Sequence, residues 1–249
     1  MSTLRAPAHP PASVAVVGRG RLGVVLARAL REAGIEVLGP TGRGEPVGDA
    51  DVVLLCVPDS AIASAARNLS GHRGLIGHTS GATPLDDVDL GVHPLQTFTG
   101  SEEPSVFHGI ACAVAGRDDD ALAVAARIAE LLGARPVAID DARRAGYHAA
   151  ASIASNFLVT LQDTAERVAV SSGIDAPTAR AMLAPLVRQT IENWAALGPA
   201  AALTGPVARG DSDTVARQRQ AVAEVPELLP LFDELCARTA DLSQRKDVA

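Results

Sequence analysis

Aromatic side chains are scarce in this sequence: one Trp, one Tyr and four Phe make up 2% of 249 residues. Positive charge is also in deficit, with 22 Lys and Arg against 29 Asp and Glu and a net charge of −7. Nucleic-acid binding rests on basic surfaces and usually on aromatic stacking platforms, so this composition argues against it and for a small-molecule ligand. No apolar run approaches the length of a bilayer span, and the first residues lack the charged and apolar regions of a secretory signal. The expectation is a cytoplasmic protein with no membrane partner. Cys56, Cys112 and Cys236 stand isolated with no paired spacing, which argues against a disulfide framework or a zinc site and for buried reduced thiols. No metal is expected. What the chain does have is apolar residues, 47% of the total, enough for two modest cores.

The run Val14-Ala15-Val16-Val17 feeds directly into Gly18-Arg19-Gly20-Arg21-Leu22-Gly23, a G-x-G-x-x-G turn between a strand and a helix. Gly18 permits the tight turn, Gly20 lets backbone approach a pyrophosphate, and Gly23 lets the helix pack closely on its strand. The free N–H groups and dipole of the helix N-terminus favour that anion. The flanks agree with this grammar. Leu22, Val25, Leu26, Ala29, Leu30 and Ala33 share a helical face, Gly34 supplies a C-cap, Ile35 to Leu38 reads as a second strand, and Asp51 to Val57 as a strand that stops at Pro58. Such continuous apolar strands suit a parallel sheet covered by helices. The expected cofactor contacts are Gly18, Arg19, Gly20, Arg21, Leu22 and Gly23, with Val57 and Pro58 after the third strand and Thr79 and Ser80 further on. An NAD site usually carries a carboxylate at the end of the second strand, and Leu38-Gly39-Pro40-Thr41-Gly42-Arg43 has none. A hydroxyl and a guanidinium stand there instead, so the reading favours NADP over NAD, with Thr41 and Arg43 as contacts.

Texture changes near residue 140. Before it, Leu75-Ile76, Ile110 to Val114 and Pro136 to Ile139 continue the strands, with a helix over Ala121 to Leu132. From Ala142 onward, alanine- and leucine-rich helical patterns are broken at Gly173, Pro177, Gly198 and Pro206. The expected organisation is a flexible tail over 1–13, a Rossmann domain with a doubly wound parallel sheet over 14–141, and an all-helical domain over 142–249 that loosens from Ser243. The catalytic cleft is expected between the domains, at the carboxyl ends of the strands.

Three polar groups stand out. On an otherwise apolar helix expected over Ala142 to about Ser172, His148, Ser152 and Asn156 recur at i, i+4 and i+8, one narrow stripe. An apolar helix of this kind should be buried, and its polar stripe then needs partners. A histidine there suits proton donation as hydride reaches carbon. The second group is His78-Thr79-Ser80-Gly81 with Gly91-Val92-His93-Pro94 at the ends of later strands, where Pro94 holds His93 extended. The third is the loop carrying Thr204, Arg209 and Asp211, in which Arg209 suits a substrate carboxylate and Asp211 would hold the arginine. His9, His72 and His108 have no comparable setting.

His93-Pro94-Leu95-Gln96-Thr97-Phe98, Tyr147-His148 through Asn156, and Ala202-Leu203-Thr204-Gly205-Pro206 through Arg209-Gly210-Asp211 resemble a family of Rossmann-like proteins whose C-terminal domain is of unknown function, over nearly the full chain. The arrangement is similar to a wider group of ketopantoate reductases, pyrroline-5-carboxylate reductases, prephenate dehydrogenases and β-hydroxyacid dehydrogenases. The resemblance implies a helical domain of the 6-phosphogluconate dehydrogenase C-terminal type and a homodimer formed through it. Ketopantoate reductases place a lysine and two asparagines at the spacing held here by His148, Ser152 and Asn156, of which Asn156 alone is identical; the lysine four residues before asparagine of β-hydroxyacid dehydrogenases is absent. Prephenate dehydrogenases imply substrate contacts for Ser80 and His93. The expectation is an NADP-dependent reductase of a small carboxylated carbonyl compound, such as a ketopantoate-like 2-oxo acid. The alternatives are an imine reductase of the pyrroline-carboxylate type and a non-catalytic NADP(H)-binding sensor or scaffold.

Overall fold

The computed structural model describes residues 10–245. The chain forms two compact units, the first ending at Ser155 and the second beginning at Asn156.

The first unit contains β1 (Ser13–Val17), α1 (Arg21–Glu32), β2 (Glu36–Thr41), β3 (Val52–Leu55), α2 (Asp59–Arg67), β4 (Leu75–His78), β5 (Leu90–Pro94), β6 (Ala111–Gly116), α3 (Asp119–Leu131), β7 (Arg135–Ala138) and α4 (Arg144–Ala154). Its seven-stranded sheet has the order β2-β1-β3-β4-β5-β6-β7. Strand side chains alternate between faces, and both faces are covered. Val14, Val16, Val52 and Leu54 enter one buried cluster with Val25, Leu26 and Leu30 of α1, while Ala15, Val53 and Leu55 enter a second with Ile62 of α2. That two-sided burial is why β1 and β3 read as unbroken apolar runs.

One pair departs from the expected all-parallel sheet: β5 and β6 run antiparallel, with His93 opposite Ala113. The link between them, residues 95–110, holds only the short turn of 3-10 helix Pro104–Phe107 and no crossover α-helix. The expected tail also contracts. Residues 1–9, His9 among them, lie outside the described residues, but the N–H groups of Ala12 and Ser13 donate to the Asp51 carboxylate at 2.7 and 3.0 Å. At the other end the final helix continues through Gln244, past the loosening expected at Ser243.

The second unit comprises α5 (Asn156–Ser171), α6 (Ala176–Ala202), α7 (Ser212–Val222) and α8 (Leu229–Gln244). Asp175 caps α6 through the Thr178 N–H, and Gly198, at φ 76°, interrupts it. Arg180 forks onto Glu166 and Arg219 onto Asp233, each pair making two contacts of 2.8 Å. Among the described residues no helix is long and apolar enough to cross a membrane.

The single helix expected from Ala142 to Ser172 divides at Ser155, whose φ and ψ of −116° and −74° separate α4 from α5. Burial of that segment is overturned as well: Ile153, Phe157 and Val159 are exposed, and α5 buries no residue. α5 is covered only in part, along the side it shares with α6, where Leu158, Leu161, Ala165 and Val168 are half-buried. The division between units falls after α4 rather than at residue 141, because Arg144 at the start of α4 is buried and donates to the Ser80 carbonyl at 3.0 Å.

Candidate functional site

The glycine turn begins where β1 ends. Gly18 has φ +119°, and a Cβ there would lie 2.1 Å from the Cys56 carbonyl oxygen. A Cβ on Gly23 would meet the Gly18 carbonyl oxygen at 2.1 Å, so α1 approaches its strand as closely as backbone permits. Cys56 donates its N–H to the Val17 carbonyl at 2.7 Å, and burial pushes its thiol up to about 12, an inert pin beneath the turn. Gly20 differs from its neighbours, since a Cβ there would meet nothing within 4 Å. No side chain caps α1, so its first-turn N–H groups remain available to an anion. Open space above Gly20 and an uncapped helix start fit a dinucleotide pyrophosphate.

At the end of β2 the outcome differs from the sequence reading. Thr41 directs its hydroxyl back toward the Val16 carbonyl, 3.5 Å away, and its own carbonyl accepts from the Gly18 N–H. Arg43 is exposed and makes no ion pair among the described residues. A carboxylate is present after all. The chain turns back after Gly42, and Glu45 accepts from Gly42 N–H at 2.9 Å and from Arg19 at 2.6 Å. It lies beyond the strand end in sequence and returns to it through the turn.

The second cluster lies at the carboxyl ends of β4 and β5. His78 pairs with Gly91 across these parallel strands, so His93 stands level with Ser80. The hydroxyl of Ser80 donates to Thr83 at 3.0 Å and accepts from the N–H groups of Ala82 and Thr83. It therefore closes a turn, in which its one donor and two acceptor positions are all taken. Thr79 directs its hydroxyl to the Leu55 carbonyl. Val57 is half-buried in the second core, and Pro58 is the exposed residue that precedes α2. Gly81 brings two imidazoles together: a Cβ there would lie 2.6 Å from His148 Cδ2 and 2.9 Å from His93 Nε2. The two rings meet edge to face with centroids 6.0 Å apart.

Three neighbours set the state of this pair. His93 Nδ1 lies 2.7 Å from the Tyr147 hydroxyl. Burial, then His148, then Arg144 bring His93 down to about 4, so it is neutral near pH 7. Burial raises Tyr147 to about 12, so its phenol keeps its proton and the hydroxyl and Nδ1 share one hydrogen bond, while Nε2 of His93 faces Gly81. Arg144 is anchored by Asp141 at 3.0 Å, whose other oxygen accepts from Leu85 N–H. His78 is fully buried with no partner for Nδ1, and its pKa is lowered, first by burial.

His93 and His148 are thus brought together, with Ser152 half-buried one turn further along α4. Asn156 does not continue that stripe. It opens α5 in the second unit, beyond the Ser155 break, and is exposed. Thr204 and Arg209 are exposed residues of the same unit. Asp211 does not hold Arg209; its carboxylate caps α7 through the Thr214 N–H at 3.0 Å. Sequence reading missed Tyr147, Arg144, Asp141 and Glu45. The signals for the first two were an only tyrosine adjoining His148 and an arginine opening an apolar helix.

This edge of a largely parallel sheet defines a Rossmann-type dinucleotide fold followed by a helical domain, and solved structures share it. A Thermotoga maritima protein is 24% identical with a TM-score of 0.78, covering 94% of this chain and 99% of that one. A Bacteroides fragilis protein provisionally assigned as an NADP oxidoreductase is 23% identical with a TM-score of 0.77, covering 92% and 98%. Pyrroline carboxylate reductase of Plasmodium falciparum, solved with NADP bound, is 10% identical with a TM-score of 0.59, covering 93% and 98%. No curated protein matches the sequence. The chain belongs to the family of the domain of unknown function DUF2520, whose model matches residues 110–239.

Proposed function

We propose that this chain is a cytoplasmic NADP-dependent oxidoreductase that reduces a small carboxylated carbonyl compound, with a branched 2-oxo acid such as ketopantoate as the leading substrate class. The observation that carries the reading is the placement, along one carboxyl edge of one sheet, of an open glycine turn and two imidazoles converging on Gly81. The NADP preference is supported by Arg19 and Arg43 at the end of β2 and by the pyrroline carboxylate reductase of this fold that holds NADP.

Bound NADPH supplies the hydride. The chain supplies position and a proton, and burial divides those tasks between its histidines. His93, neutral and held by Tyr147, offers Nε2–H as a fixed donor that polarises the carbonyl oxygen. A group neutral down to about pH 4 is a poor proton source near neutrality, so protonation of the alkoxide falls to His148. A second copy of the chain, bound through the apolar face of the helical unit, completes the proposal.

The test is consumption of NADPH and NADH against 2-oxo acids and cyclic imines, with His148→Ala beside the wild type. Turnover on a 2-oxo acid with NADPH is expected, and His148→Ala should lower kcat by about 10²- to 10⁴-fold with cofactor affinity unchanged. Turnover on cyclic imines alone would replace the substrate class. Measured NADPH binding without turnover would overturn the enzyme assignment in favour of a nucleotide-binding sensor.

A further inference from the structure

The Arg19 guanidinium, between the first two glycines of the turn, reaches across to the end of β2. Its Nε donates to the Pro40 carbonyl at 3.1 Å and its terminal nitrogen to Glu45 at 2.6 Å. The same Glu45 oxygen accepts from Gly42 N–H at 2.9 Å. A guanidinium and a backbone N–H thus converge on one oxygen, with the exposed Arg43, which makes no ion pair among the described residues, next along the chain. In a dinucleotide laid from the glycine turn along the sheet edge, the ribose nearer the end of β2 presents its 2′ position to this point.

From this geometry, and resting on the dinucleotide reading above, we infer that Glu45 is a resident counter-anion: its carboxylate occupies the place of the cofactor's 2′-phosphate and must swing out for NADP to bind. The residue then sets selectivity in a direction opposite to the usual ribose-binding carboxylate. A carboxylate that accepts ribose hydroxyls favours NAD and repels the phosphate. Glu45 already spends an oxygen on Arg19 and Gly42 N–H, the donors a phosphate monoester would take. Both side chains of the pair are well exposed, at 59% and 42%, so the pair is readily broken by a competing anion. A phosphate gains from the exchange because it carries more charge and more acceptor oxygens than the carboxylate it displaces.

The experiment is calorimetric titration of the full-length protein with 2′,5′-ADP, 5′-AMP, NADP and NAD at low and high salt, for wild type, Glu45→Gln and Arg19→Ala. Glu45→Gln should bind 2′,5′-ADP and NADP about threefold to fivefold more tightly, with 5′-AMP and NAD unchanged, and the gain should shrink at high salt. Arg19→Ala should weaken 2′,5′-ADP by about tenfold or more and leave 5′-AMP nearly untouched. If Glu45→Gln instead weakens NAD and 5′-AMP, the carboxylate is a ribose acceptor and the inference is overturned. Unchanged 2′,5′-ADP affinity in both variants overturns it equally. Failure of wild type to bind any of the four ligands would instead remove the dinucleotide reading beneath it.

Discussion

The two units of this chain solve the problem of staying folded in different ways. The first has a dry interior on both faces of its sheet, with Val14, Val16, Leu26, Leu30, Leu54 and Leu90 fully buried. In the second, among the described residues, only Ala179, Val222 and Leu228 are buried apolar groups. Its helices are tied instead by exposed arginine forks, Arg180 to Glu166 and Arg219 to Asp233. Exposed pairs of this kind contribute at most about 1 kcal/mol each. The first unit is stabilised by what it buries, while the second leaves apolar residues exposed among the described residues, Val159, Leu186 and Leu197 for example. Chemistry follows the same division: the perturbed histidines lie in the unit whose interior can desolvate them.

The sharpest way to break this comparison is to add one methyl group in each unit. Gly18→Ala places a Cβ 2.1 Å from a backbone carbonyl oxygen at φ +119°, where relief requires moving β1 or Cys56. A cost above about 3 kcal/mol is expected, enough to lose the folded first unit under mild urea. Gly173→Ala, at φ +89° after α5 with nothing within 4 Å of the added atom, should cost only about 1 kcal/mol. Equal losses of urea midpoint in the two variants would show that strain, rather than packing against a rigid interior, governs both.

Acid should act selectively on the first unit. His93 titrates near 6.5 in the unfolded chain and about 4 in the folded one, so between these values the unfolded state binds more protons. Stability therefore falls as pH drops through 6.5, and the loss is complete below about 4. His93 alone accounts for up to about 3 kcal/mol of it, and His78 acts in the same direction. In the second unit Glu166, Asp175 and Asp233 are also lowered, each first by a hydrogen bond to its carboxylate, but a carboxylate titrates below an imidazole to begin with, so their contribution is lost only under more acidic conditions. Urea unfolding followed from pH 7 to pH 4.5 should show this slope in wild type and a shallower one in His93→Gln. Superimposable curves would remove the assignment of His93 as a buried neutral group.

What could be read from the sequence follows the same division. The glycine turn and the strands around it were legible because local rules and the final packing agree there: β-branched runs, an i, i+3, i+4 face and a cap at Gly34 all point one way. The antiparallel β5–β6 pair was not, since strand direction depends on a connection whose path periodicity does not record. In the site, His93 and His148 were legible as histidines in suitable settings. Their division of labour was not, because it depends on Tyr147, Arg144 and a close approach at Gly81, contacts made between distant segments. Glu45 escaped for a simpler reason: it returns to the end of β2 through a turn and falls outside the window that the motif prescribes. The helix stripe was read as one element because nothing in the apolar pattern marks Ser155 as the C-cap at which α4 ends and α5 begins.

The smallest effect on the chain's own stability should come from the largest exposed apolar residues. Met182, Leu186, Trp194 and Leu197 of α6 are between 55% and 63% exposed, and at about 100° per residue they share roughly a third of the helix circumference. Replacing exposed side chains removes little buried area, so Leu186→Gln combined with Leu197→Gln should change single-chain unfolding by no more than about 0.5 kcal/mol. Association should respond far more, because the face proposed to meet a second copy would then bury two amides without partners. Light scattering at micromolar concentration should find wild type as a dimer and the double variant as a folded monomer, with wild-type stability alone rising with protein concentration. A monomeric wild type would remove the proposed second copy. The helical unit would then stand as a weakly cored element that leaves its apolar face in water, and the contrast with the first unit would be sharper still.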